Sequence, residues 1–131
     1  MCLNPIFKDS TTVLVLHIFQ APVAHRGFQL FLLKANGTLL QWLSIPRTHT
    51  LWLMAQLRAL KELLLVWDAD VTLKVSKGNY HIGINSYPFE AGRPATRCIV
   101  VWQNEACIGL HPEAVDTLMG QIANHYIKAE V

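Results

Sequence analysis

Three strand-like runs lead into one amphipathic helix, and the same order then starts again, over residues 13–67 and 70–128. A strand run must bury a face and an amphipathic helix must bury a stripe, so the doubled order constrains the chain strongly. It predicts an α+β architecture: an antiparallel sheet with two helices, built from a strand-strand-strand-helix unit that occurs twice. A chain of 131 residues makes one domain, or two half-units sharing one core. A chain of this size buries roughly two thirds of its unfolded surface and needs neither metal nor disulfide to fold.

The runs differ in pattern. After a lead-in over 1–11, VLVLHIFQ (13–20) is almost wholly apolar, as a strand covered on both faces would be. GFQLFLLK (27–34) and TLLQWLSI (38–45) flank Asn36-Gly37, a strong hairpin signal, and Pro46 ends the third run. Thr48 or Thr50 is placed to cap a helix reaching about Val66, whose stripe is Leu53, Leu57, Leu60, Leu64 and Trp67. VTLKVS (71–76) and YHIGINS (80–86) alternate around the turn Lys77-Gly78-Asn79, with Tyr80, Ile82 and Ile84 inward. The segment 88–96 carries one Gly and two Pro and reads as a loop. RCIVVWQ (97–103) is a further strand, and 106–110 is a short strand or bend. His111-Pro112-Glu113 opens the last helix, with a stripe of Val115, Leu118, Met119, Ile122 and Tyr126.

Apolar residues make up 52% of the chain and charged ones 15%, a surplus of apolar surface that predicts a homo-oligomer. No apolar run reaches the roughly 18 residues that span a bilayer, and MCLNPIFKDS lacks the features of a secretory signal. The expectation is a soluble cytoplasmic protein with no membrane partner. Cys2, Cys98 and Cys107 show no zinc spacing and read as reduced thiols.

Catalytic patterns are sparse. The nine carboxylates do not converge by sequence, and Asp68 and Asp70 sit at a corner that usually faces water. No glycine-flanked nucleophile and no phosphate loop are present. The one enzymatic arrangement left open is Cys107 with His111 and Asp116. The expectation is therefore no catalytic residues, no metal, no cofactor and no enzyme. Nucleic-acid binding has more support. Lys74, Lys77, Arg93 and Arg97 cluster in the second round, and Tyr87, Phe89, Trp42 and Trp102 are available for stacking. Yet the clearest outward positions, Thr72, Lys74, Ser76, His81 and Asn85, hold no aromatic ring.

IGLHPEAVDTLMGQI (108–122) resembles the final strand-to-helix passage of single-stranded DNA-binding cofactors of the positive-cofactor-four type, and VSKGNYHIGINSY (75–87) is similar to the hairpin before it. The doubled unit resembles the Whirly arrangement, in which two units of four strands and a helix share one chain. That resemblance implies single-stranded nucleic-acid binding across the sheets and oligomerisation. A second resemblance, carried by LWLMAQLRALKELL (51–64), VTLKVS (71–76) and HPEAVDTL (111–118), is to the ribonuclease H fold. Gln20, Trp52 and Ser76 stand where that family places acids, and only Asp116 matches, which implies a catalytically dead relative. The leading expectation is a non-enzymatic binder of single-stranded nucleic acid using Lys74, Lys77, Arg93, Arg97, Tyr87 and Phe89. The alternative is a protein-interaction module anchored by Trp42, Trp52, Trp67 or Phe89.

Overall fold

The computed structural model describes residues 4–66, 73–89, 92 and 94–129, with Leu73 and residues 126–129 described by their backbone alone. Trp67, Asp68, Asp70, Thr72 and Arg93 lie outside the described residues, as does the side chain of Tyr126. The elements run β1 (Asn4–Lys8), β2 (Thr12–Ile18), β3 (Phe28–Lys34), β4 (Leu39–Ile45), α1 (Thr50–Val66), β5 (Leu73–Lys77), β6 (Tyr80–Tyr87), β7 (Thr96–Gln103), β8 (Ala106–Leu110) and α2 (Pro112–Ala129). The fold is α+β, as the pattern predicts. It holds two four-stranded antiparallel sheets, β1-β2-β3-β4 and β5-β6-β7-β8, where the sequence suggests one.

Each half has four strands. The extra strand of the first half is β1, inside what reads as a lead-in. Its turn is made by Asp9, whose Oδ1 accepts the backbone N–H groups of both Thr11 and Thr12 at 2.8 Å. Such a side-chain-closed turn needs no glycine, so the hairpin shows no Gly signal. The fourth strand of the second half is β8, which pairs with β7 from Ala106 to Leu110.

The helices cross between halves. α1 lies against β6 and β7 of the second sheet, while α2 lies against β1 of the first sheet and against β8. Leu53, Leu57 and Leu60 of α1 join Ile82, Ile84, Ile99 and Val101 in one core that also contains Leu16, Phe28, Leu30 and Leu43. Each sheet thus depends on the other half's helix for cover. On the surface, Lys61 of α1 ion-pairs with Asp116 of α2.

Local chemistry fixes the corners. Gly27 has φ +78°, and a Cβ there would stand 2.1 Å from the Ile45 carbonyl oxygen, so the approach of β3's start to β4's end requires glycine. A 3₁₀ turn over Arg47–His49 feeds directly into α1. Thr50 therefore sits inside the helix at φ −61° and does not cap it. Its buried hydroxyl has no protein partner, a condition shared by the Tyr80 hydroxyl. Among the described residues no helix is long and apolar enough to cross a membrane.

Candidate functional site

Where the two sheets meet, edge strands β4 and β8 lie side by side without a backbone ladder between them, and side-chain amides close the gap. Gln103 Oε1 accepts the Ser44 N–H and Gln103 Nε2 donates to the Ser44 carbonyl, each at 2.8 Å. One side chain thereby imitates the paired groups of a neighbouring strand. Gln103 Nε2 also reaches Asn79 Oδ1 at 3.1 Å, which ties the β5–β6 hairpin to the seam. On the other side of the seam the Cys107 N–H donates to Gln41 Oε1.

Strand alternation gives the sheet of β5–β8 a helix-facing side and an open side. Lys74, Ser76, His81, Asn85 and Trp102 take the open side, opposite in parity to Val75, Ile82, Ile84, Ile99 and Val101 of the core. Register aligns Ser76, His81, Trp102 and Cys107 in one row across all four strands. Ser76 Oγ and His81 Nδ1 are hydrogen-bonded. Lys74 is paired with Gly83, which has no side chain to obstruct it, and its Nζ lies 4.6 Å from the centre of the Trp102 ring. An exposed cation–π contact of this kind is worth about 0.5–1 kcal/mol. An ammonium and an indole face are thus presented together. The near-continuous apolar run of β7 hides this from sequence, because it carries no alternation to say which side Trp102 takes.

Other candidate residues are placed differently. Lys77 turns to the helix side, with Nζ 5.8 Å from the Trp52 ring of α1, so it does not share a surface with Lys74. Arg97 has the parity of Ile99 and Val101, and its Nη2 is buried without a hydrogen-bond partner. Arg93 lies outside the described residues. Tyr87 and Phe89 are brought together, 5.0 Å between ring centres, but against protein. Tyr87 folds over β8, where a Cβ on Gly109 would meet its ring at 2.4 Å, and its hydroxyl donates to the Cys107 carbonyl at 3.3 Å. Burial, with Cys107 and Cys98 nearby, pushes its phenol above the usual range. Phe89 stacks on His111, whose other face meets Phe7.

The sheet of β1–β4 has a different open side. Val15, Phe31 and Trp42 form one row across three strands, and Val13, Leu33 and Leu39 form the next. Leu39, Leu40 and Trp42 are 48%, 42% and 50% exposed. Beside Trp42 an open groove of about 390 Å³ is walled by Phe19, Arg26, Gln29, Asn79 and Gln103. The Arg26 guanidinium sits 5.9 Å above the Phe19 ring. Sequence marks Arg26 and Trp42 as basic and aromatic, but only the seam brings Asn79 and Gln103 to them.

The two described thiols, Cys98 and Cys107, show no activation. Burial pushes Cys98 up to about 12, and burial also raises Cys107, against a smaller pull downward from Lys74. Asp116, the third member of the enzymatic arrangement, is taken up by Lys61. Among the described residues no three His, Cys, Asp or Glu side chains are grouped so as to hold a metal ion. No protein-family model matches the chain, and no curated protein sequence is significantly similar to it.

Proposed function

We propose that this chain is a non-enzymatic, cytoplasmic protein that binds single-stranded nucleic acid on the open sides of its sheets and assembles as a homo-oligomer. The observation that carries the reading is Lys74 held over Trp102 on the open side of β5–β8. A base stacked on an aromatic face gains about 1–3 kcal/mol, and a lysine beside it neutralises a phosphate. The groove by Trp42 adds a second aromatic face with Arg26 and three side-chain amides, Gln29, Asn79 and Gln103. The four-strand-plus-helix order of each half supports the reading, since that is the unit the Whirly resemblance implies. The binding residues proposed are Lys74, Trp102, Arg26 and Trp42. Lys77 and Arg97 face the helices, and Tyr87 and Phe89 are engaged with other rings.

Fluorescence anisotropy with labelled single- and double-stranded oligonucleotides tests this. The expected result is a preference for single strands that weakens with salt at a log–log slope of about −0.7 per phosphate contact. Absence of binding at low salt refutes it. A second reading, a protein-interaction module, is favoured by one observation: Leu39, Leu40 and Trp42 form an exposed apolar patch. A catalytically dead ribonuclease H-like domain belongs to that second reading.

A further inference from the structure

Beside the Phe7–His111–Phe89 stack lies a cavity that none of Lys74, Trp102, Arg26 and Trp42 lines. Its volume is about 280 Å³. That falls just below the roughly 300–1,000 Å³ of pockets that hold drug-sized ligands, so it suits one compact ring system. Leu14 and Leu32 of the first sheet and Ala114 of α2 give it an apolar lining. Aromatic rings line it as well. The His111 ring centre lies 4.1 Å from that of Phe7 and 3.9 Å from that of Phe89, and Tyr87 also borders the cavity. A flat π-system gains ring contacts here that an aliphatic ligand of equal volume does not.

Asp9, Thr12, Gln41, Tyr87 and His111 bring polar atoms to the same space. The Thr12 hydroxyl donates to Asp9 and the Tyr87 hydroxyl to the Cys107 carbonyl, so Asp9 and Gln41 are the groups of interest. The Gln41 amide is oriented by the main chain: Oε1 accepts from the Cys107 N–H, so Nε2 is the end left for another partner. No acceptor for that Nε2 is found among the described residues. The Asp9 carboxylate commits Oδ1 to the N–H groups and hydroxyls of Thr11 and Thr12, while among the described residues Oδ2 takes the Thr12 hydroxyl alone. A carboxylate oxygen accepts more than one hydrogen bond. Gln41 and Asp9 therefore offer a donor and an acceptor beside an aromatic wall.

We propose that this cavity binds a nucleobase, which presents an N–H donor to Asp9 and a carbonyl or ring-nitrogen acceptor to Gln41. A Watson–Crick edge supplies both groups, and a plain hydrocarbon ring supplies neither. The ring has two possible sources, a free nucleoside or an extruded base of a bound strand, and only the second rests on the function proposed above. An open groove of about 420 Å³ shares Phe7, Asp9, Phe89 and His111 with the cavity and extends to Pro94 and Thr96. It leaves room for a sugar-phosphate chain attached to the bound ring.

The test is an NMR titration of the full chain with uridine, 3-methyluridine and a single-stranded oligonucleotide, read at the Gln41 side-chain amide and at Tyr87. Uridine should give saturable shifts at both. Methylation at N3 removes the donor and should weaken binding at least tenfold. Asp9→Asn keeps the turn but places an NH₂ where Oδ2 stands, and should weaken uridine by a similar factor. Phe89→Ala, in a solvent-edge loop, should weaken every nucleoside alike. If neither uridine nor the oligonucleotide moves Gln41 and Tyr87, the proposal is overturned, even where anisotropy shows the oligonucleotide bound elsewhere. Equal binding of uridine and 3-methyluridine overturns it as well. Nucleoside shifts without oligonucleotide binding support the cavity as a nucleoside site while the sheet-side reading fails.

Discussion

The sheet of β1–β4 turns Val13, Val15, Phe31, Leu33 and Trp42 away from the core, whereas the sheet of β5–β8 turns Lys74, Ser76, His81 and Asn85 away from it. Both sheets have the same strand order and each packs against the helix of the other half. The inner sides are alike because both must fill one core. The outer sides meet less of that demand and differ. On the first sheet two apolar rows stand beside the polar row His17, Gln29 and Ser44. On the second, Lys74, Ser76, His81 and Asn85 stand beside the buried Cys98 and Val100 and the Trp102 ring that Lys74 covers. The repeat specifies packing and leaves chemistry to the positions that packing constrains least.

The shared core couples the two sheets. Leu43 belongs to the first sheet and Ile99 to the second, and both are fully buried in one cluster. Replacing either with alanine should cost about 2–5 kcal/mol. Circular dichroism and intrinsic fluorescence should show one coincident unfolding transition in both variants. Two separate transitions would mean that the halves are independent and that the crossed helices do not couple them.

The seam should matter next. Gln103→Ala removes the amide that closes both backbone groups of Ser44 and the bond to Asn79. Water reaches a half-open seam, so the expected loss is about 1–3 kcal/mol in urea unfolding. A loss near zero would show that β4 and β8 need no bridge.

Lys74 and Lys77 lie on opposite sides of β5, so substituting each separates the open side from the helix side. Lys74→Ala should weaken single-strand binding and lower the salt slope by about 0.7. Lys77→Ala, against Trp52 on the helix side, should leave the slope unchanged. Equal effects in anisotropy would place the binding surface elsewhere.

The smallest effect is one of pH. Burial holds Cys98 and Tyr80 up at about 12 in the folded chain, against 9.0 and 10.0 when exposed. The unfolded chain therefore loses these protons first, and the stability they contribute below pH 9 falls away as pH rises toward 12. Denaturant midpoints measured across that range should decline, and Tyr80→Phe should flatten the decline. At neutral pH the same substitution should be near neutral or stabilising, because the Tyr80 hydroxyl is buried without a partner. Asp9 works in the other direction. Partial burial raises its carboxyl, but the backbone and hydroxyl hydrogens of Thr11 and Thr12 outweigh that and hold it below its usual 3.8. Its contribution is present above that value and disappears as pH falls beneath it.

Periodicity made much of this architecture readable. The stripe Leu53, Leu57 and Leu60 and the inward set Tyr80, Ile82 and Ile84 are buried as their spacing requires. Hairpins closed by glycine were readable too, at Asn36-Gly37 and at Gly78. The hairpin closed by Asp9 was not, since a carboxylate collecting N–H groups leaves no glycine to mark it. Lys77 misleads for a related reason. It stands one step past the alternation of Lys74 and Ser76, at the end of β5, where parity turns it toward α1.

Alternation within each strand is a property of neighbouring residues, so the chain alone determined that sheets and helices form and which side of most strands is buried. Which helix covers which sheet, how β4 meets β8, and which rings gather around His111 were decided by the tertiary structure. Gln41 meets Cys107 and Gln103 meets Ser44 across more than half a hundred residues of chain, and no local pattern encodes a distance of that kind. Such contacts exist because burying one common core brings the two halves' edges together, and the amides then satisfy backbone groups that would otherwise be left unpaired.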